Sequence, residues 1–215
     1  MNNPFTQKAG IALIIFTILL VFTIVLHPAG GSIGHLTHMT MLIIVTHSIA
    51  ILSLPVGGIG FWGLTVKLGA DRFGSMLAFG MAVLGLVAAL LAGATNGIVM
   101  PIFLQQYKDA APDTIAVIKP LLQYGFAVNH AFDYVYTGAF AVAILCWSIE
   151  ILLTRRLTLW VGWLGIVIAL VIAVIFCLGE PVNSVHGLRV FVVSIIGWIL
   201  LVGMALRTRQ LTRPE

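Results

Sequence analysis

Residues 157–178, "LTLWVGWLGIVIALVIAVIFCL", run for 22 positions without a lysine, arginine, aspartate or glutamate. A helix of that length covers about 33 Å, enough to cross a hydrocarbon core of ~30 Å. In lipid the backbone N–H and C=O groups must be satisfied within the segment, so the run is read as a transmembrane helix. Five more apolar runs of spanning length accompany it, at about 10–27, 41–66, 73–95, 130–152 and 187–206. The expected fold is therefore an all-α integral membrane protein, a single domain over 1–215 built as a six-transmembrane-helix bundle.

Composition supports the same class. Sixty per cent of the 215 residues are hydrophobic and 8% charged, with a mean hydropathy of +1.12. A water-soluble domain does not carry so little charge. The bilayer is thus the first partner, and six spans with short connections leave no length for a soluble domain.

The charges set the orientation. Lys8, Lys67, Arg72, Arg155, Arg156, Arg207, Arg209 and Arg213 all fall on the side of the termini, with only Asp71, Glu150 and Glu215 against them. Three basic and four acidic residues fall on the other side. This excess places both termini in the cytoplasm and points to a bacterial-type inner membrane. It also accounts for the net charge of +4 without nucleic acid as a partner. Trp62, Trp147 and Trp160 near the inner boundary and Tyr107, Tyr124, Tyr134 and Tyr136 in the outward half fit the same orientation. The opening "MNNPFTQK" and the apolar run behind it are expected to form an uncleaved first helix, because one lysine makes a weak signal-peptide n-region.

Two stretches depart from simple spans. Pro55 with Gly57, Gly58 and Gly60 serves either close helix packing, the preferred reading, or a hinge. Residues 96–129 are too polar to span and carry Pro101, Pro112 and Pro120. They are expected to form an outward amphipathic cap of short helices between the third and fourth spans.

Depth counting from the inner charges collects polar side chains in one outward layer. His27 closes the first span, His47 lies about 20 residues from Lys67, and Asn96 follows the third span. His130 begins the fourth, Glu180 follows the fifth and His186 precedes the sixth. Asp133, one turn deeper than His130 and beside Asn129, is expected to be the one acid inside a span. Its ionised form there is costly, ~2.5–3.5 kcal/mol, unless it faces a partner in the bundle. The loop "LHPAGGSIGHLTHMT", residues 26–40, places His35 and His38 above His27 as a lid.

Neutral imidazoles with a carboxylate suit zinc, iron or divalent copper. The expected metal set is His47, His130, Asp133 and His186, with Asp133 or Glu180 as general base on a metal-bound water and Asn96 and Asn129 supporting. Hydrolysis or redox chemistry at the outer surface follows from such a site. The HxxxH element of membrane zinc hydrolases related to alkaline ceramidase is absent, and so is HExxH. Haem held between His47 and His130 is a further option, as in membrane b-type cytochromes. The same layer also suits a small polar or lipid-derived ligand entering from outside. Two other classes are a proton-coupled transporter or sensor, and an accessory subunit whose polar layer binds a membrane partner. Inner halves such as "VLGLVAALLAG" offer no path for a hydrophilic solute, which counts against transport across the whole bilayer.

Overall fold

The computed structural model describes residues 4–27, 33–177 and 185–208, with side chains described over 4–27, 33–176 and 192–208. All regular structure among them is helical: α1 (Pro4–Leu26), α2 (Ile33–His38), α3 (Thr40–Leu68), α4 (Phe73–Ala94), α5 (Met100–Gln105), α6 (Pro112–Thr154), α7 (Leu159–Cys177) and α8 (Val185–Arg207). A single π-helical turn, Thr95–Val99, joins α4 to α5. Among the described residues, five helices are long and apolar enough to cross a membrane: Pro4–Leu26, Thr40–Leu68, Phe73–Gln105, Pro112–Thr154 and Leu159–Phe176. Large apolar side chains such as Ile18, Phe22, Leu52 and Val167 point away from the protein. That surface is the one an integral membrane protein presents to acyl chains.

The six long helices close a ring. Each packs on the next in chain order, α1 on α3, α3 on α4, α4 on α6, α6 on α7 and α7 on α8, and α8 returns to α1. Aromatic rings fill the middle of the ring. Trp147 stacks between Phe61 and Trp198, at centroid separations of 5.3 and 6.4 Å. The assignment of Trp147 to the lipid interface is corrected here: it is fully buried. Its indole N–H needs an acceptor there, and it donates to Thr65 Oγ1 at 3.2 Å while that hydroxyl donates to the Phe61 carbonyl at 3.0 Å. Thr65→Val leaves the indole donor unpaired. A loss of about 1–3 kcal/mol is expected, read as a lower thermal transition in detergent with a shifted tryptophan emission.

The glycine stretch of α3 proves to be a packing surface. The helix continues unbroken through Pro55. Gly57 lies under the Phe16 ring, where a Cβ would sit 3.0 Å from its carbons, and Gly60 and Gly63 face Leu13 and Ala9 of α1 in the same way. Small residues three apart make one face and let two backbones approach, the usual basis of helix association in lipid.

Residues 96–129 take a different form from separate cap helices. The π turn and α5 prolong α4 beyond its apolar run, and α6 begins already at Pro112. At 43 residues α6 is about 65 Å long, well beyond the bilayer core. Proline explains why the breaks are fewer than expected. Pro112 occupies the first turn of α6, where its missing N–H costs nothing. Pro120 is accommodated inside the helix, in the part that precedes the expected span. This outer part has a small core of its own, Met100, Leu104, Ile118 and Leu122, against which Ile33 and Leu36 of α2 pack.

At the other end, the charges that set the orientation meet. Gly69, at φ +117, ends α3 with its N–H on the Thr65 carbonyl at 2.9 Å, and the turn delivers Arg72 to the start of α4. Arg72 Nε donates to Glu150 Oε2, and the Glu150 carboxylate lies against Gly74 in the first turn of α4. The Glu150 side chain is 8% exposed, whereas the Asp133 side chain is 24% exposed. The expectation that Asp133 is the one acid inside a span is thus corrected: Glu150 also lies well within α6 and is the more enclosed of the two, because α6 carries it beneath the α4 N-terminus.

Candidate functional site

The C-terminal end of α1, the N-terminal part of α3 and the C-terminal end of α4 meet around His47. Its side chain is 8% exposed. Nδ1 lies 2.8 Å from the Ile43 carbonyl oxygen one turn back. A carbonyl only accepts, so Nδ1 carries the proton and Nε2 of the neutral ring keeps its lone pair. His27, one residue past α1, sets its ring edge-on at 5.0 Å between centroids and 62°. The third wall is Gly97 in the π turn, which has no side chain where one would overlap the Cβ and ring of His47.

The sequence explains the π turn. Pro101 has no N–H to give to the carbonyl of Gly97, its α-helical acceptor, and Met100 N–H bonds instead to Thr95 five residues back. Asn96 sits within this turn, half-buried beside Gly97. Single π turns inside helices concentrate at functional sites because they swing one residue out of register.

A second polar group lies on α6. Asn129 Nδ2 donates to Asp133 Oδ2 at 3.0 Å. His130 Nδ1 stands 3.8 Å from the same oxygen, too far for a hydrogen bond. The His130 side chain is 52% exposed. The expected pairing of His130 with Asp133 along the helix is present, and Asn129 is its direct hydrogen-bond donor.

Among the described residues, no group of three or more His, Cys, Asp or Glu side chains is placed to hold a metal ion. His47 belongs with His27 and Gly97, while His130 and Asp133 belong with Asn129, so the expected three-ligand centre is not assembled from these alone. Glu180 lies outside the described residues, and the His186 side chain likewise. His35 and His38 are exposed on α2, which rests on α5. Thr40 Oγ1 ties the start of α3 to Gln105 Oε1 at 3.2 Å.

Two buried threonines also lie at this end, and of these Thr46 escaped the reading of polar residues. Thr46 and Thr137 are fully buried and their hydroxyls find no partner among the described residues. Each adjoins a residue already singled out: Thr46 precedes His47, and Thr137 lies one turn below Asp133. A cavity of about 90 Å³ is lined by Ala50 and Leu54 of α3, one and two turns on from Thr46, by Tyr136 of α6, next to Thr137, and by Ala89 of α4, Phe16 and Ile199. The sequence signal for the His47 wall was "NGIVMP", residues 96–101: a glycine followed at the i + 4 position by a proline that cannot serve it.

Comparison of the chain with protein-family models, with curated proteins and with solved structures gives no match, so the functional reading rests on these residues.

Proposed function

We propose that the chain is a six-span protein of the bacterial inner membrane, with α8 as the sixth span and both termini cytoplasmic, and that its outward end binds a small polar ligand at His47. The observation that carries this reading is the bond from His47 Nδ1 to the Ile43 carbonyl. It fixes the tautomer, so Nε2 offers a lone pair in a largely enclosed position to a hydroxyl, an ammonium or a metal ion. Asp133, held by Asn129, supplies a second acceptor at the same end of the bundle. The α2 helix, with His35 and His38, lies outside as the lid.

A second reading has a specific observation in its favour. Two imidazoles on one tetrahedral zinc, at Zn–N ~2.0–2.1 Å, hold their ring centres roughly 5 Å apart. The His27–His47 separation is 5.0 Å. A backbone carbonyl on the far ring nitrogen, as at His47, is also the usual support of a metal-bound histidine. In this reading zinc, iron or copper takes His27 and His47, His186 or Glu180 completes the set, and Asp133 or Glu180 serves as general base.

One experiment tests both. Protein released gently from membranes is examined by native mass spectrometry and elemental analysis, as wild type and as His47→Phe, which keeps an aromatic ring against Gly97 and removes the lone pair. An adduct on the wild type that falls about tenfold in the variant is expected, since each 1.4 kcal/mol is a factor of ten; its mass or metal content separates the two readings. Equal occupancy of the two proteins overturns both.

A further inference from the structure

We propose that the ligand at His47 is a short amphiphile, with a hydroxyl on His47 Nε2 and an alkyl group of about four carbons in the cavity beneath it. This rests on the reading of His47 as a ligand contact and goes beyond it by naming the ligand class.

Position comes first. Ala50, in the cavity wall, follows His47 by three residues, and Tyr136 follows Asp133 by three. On a helix that spacing keeps one face and descends by ~5 Å. The cavity thus begins one turn inward of both polar groups, a drop that a butyl chain bridges.

Size comes next. An engineered cavity of 150 Å³ lined by aliphatic and aromatic side chains holds benzene. On that scale the 90 Å³ here accepts roughly three to four carbon atoms. Tyr136 is the single polar residue in its wall, so a group entering it must be apolar.

The unpaired hydroxyls supply an independent pointer to a ligand that itself carries a hydroxyl. Thr46 and Thr137 are each 0% exposed and without a partner among the described residues. A threonine in a helix can turn its hydroxyl to the carbonyl one turn back, as Thr17 and Thr65 do here, and these two do not. Buried polar groups left open in this way are commonly completed by water or a bound molecule. They flank the polar rim, whereas the wall of the cavity below is apolar except for Tyr136. A wholly apolar ligand leaves the rim unsatisfied, and a wholly polar one does not enter the cavity.

The test is photolabelling with 3-azibutanol of the full-length protein in lipid nanodiscs, with adducts mapped on peptides. Wild-type protein is expected to carry the label on Tyr136 or on residues 50–54. Ala89→Leu fills the cavity and is expected to reduce this adduct at least about tenfold. Ala50→Val serves the same purpose should Ala89→Leu lose the folded elution profile. His47→Phe is expected to reduce the adduct to a similar degree. As competitor, 1-butanol is expected to act at concentrations at least about tenfold below those of 1,4-butanediol, whose second hydroxyl would enter the apolar cavity. Labelling that survives both filling variants overturns the amphiphile while leaving His47 as a polar-ligand contact. Labelling lost on filling but unchanged in His47→Phe overturns the link to His47, and with it the proposed function.

Discussion

Arg72→Ala is expected to lower stability by about 2–3 kcal/mol, although Arg72 lies at the opposite end of the bundle from His47 and touches no candidate ligand site. Removing one member of a fully buried ion pair typically costs ~3–5 kcal/mol, because the remaining charge is left without its partner. Glu150 is the member left behind here, at 6% exposure. Two features reduce the loss. The Arg72 side chain is 39% exposed, so water already weakens the pair. The carboxylate also lies against Gly74 in the first turn of α4, where the free N–H groups of the helix favour negative charge. For a chain of this size the change corresponds to an apparent thermal shift on the order of 5–10 °C, read by tryptophan fluorescence in detergent. Glu150→Gln in the Arg72→Ala background removes the stranded charge while retaining shape, and recovery of more than half the loss is expected. An unshifted Arg72→Ala, or a double variant no better than the single, would refute the buried-charge account.

The Arg72–Glu150 pair marks where the sequence was legible and where it was not. Counting spans and charges located some helices within a few residues: α3 runs 40–68 where 41–66 was expected, and α7 runs 159–177 where 157–178 was expected, whereas α6 runs 112–154 where only 130–152 was expected. Lipid makes this possible, since every spanning backbone must be helical and length is dictated by bilayer thickness. Charge also assigned Arg72 and Glu150 to the same end of the bundle. It said nothing of how enclosed Glu150 is, because depth along a helix is readable from one sequence while rotation about its axis depends on neighbours.

The same distinction governs the outward end. His27 and His47 were both placed there by depth, and they do meet. His130 and His47 were placed at similar depth too, yet His47 turns towards α1 and the π turn while His130 stays half exposed beside Asp133. Apolar patterning gave little help with rotation. Lipid-facing and core-facing positions are both hydrophobic, so no polar stripe marks the outside as it does on a helix in water. The small residues carried that information instead, at Gly57, Gly60 and Gly63 on the α1 side of α3, and at Gly97 on the His47 side of the π turn.

Gly97→Ala is accordingly expected to do at the site what no surface change would. A methyl group there overlaps the Cβ and ring of His47, and a Cβ is fixed to its backbone, so rotating the side chain does not relieve it. Either α3 and the end of α4 separate or His47 leaves its place; overpacking of this kind costs typically ~1–3 kcal/mol. Ordinary helix propensity predicts the opposite sign, because alanine is favoured over glycine in a helix interior by roughly 0.8–1 kcal/mol. Gly58→Ala provides the comparison within the same protein. The nearest atom to its new methyl, Leu86 Cδ1, stands at 3.7 Å, an ordinary contact, and this variant is expected to hold or slightly raise the thermal transition. Gly97→Ala is expected to lower it and also to reduce the ligand or metal occupancy read by native mass spectrometry by the same tenfold as His47→Phe. The two effects separate the possible causes: lost stability with full occupancy would mean that the helices yield and His47 stays, so the π turn would be a packing device alone. A Gly97→Ala protein as stable and as occupied as wild type would show that α4 does not press against His47, and the site would have to be sought elsewhere in the outward layer.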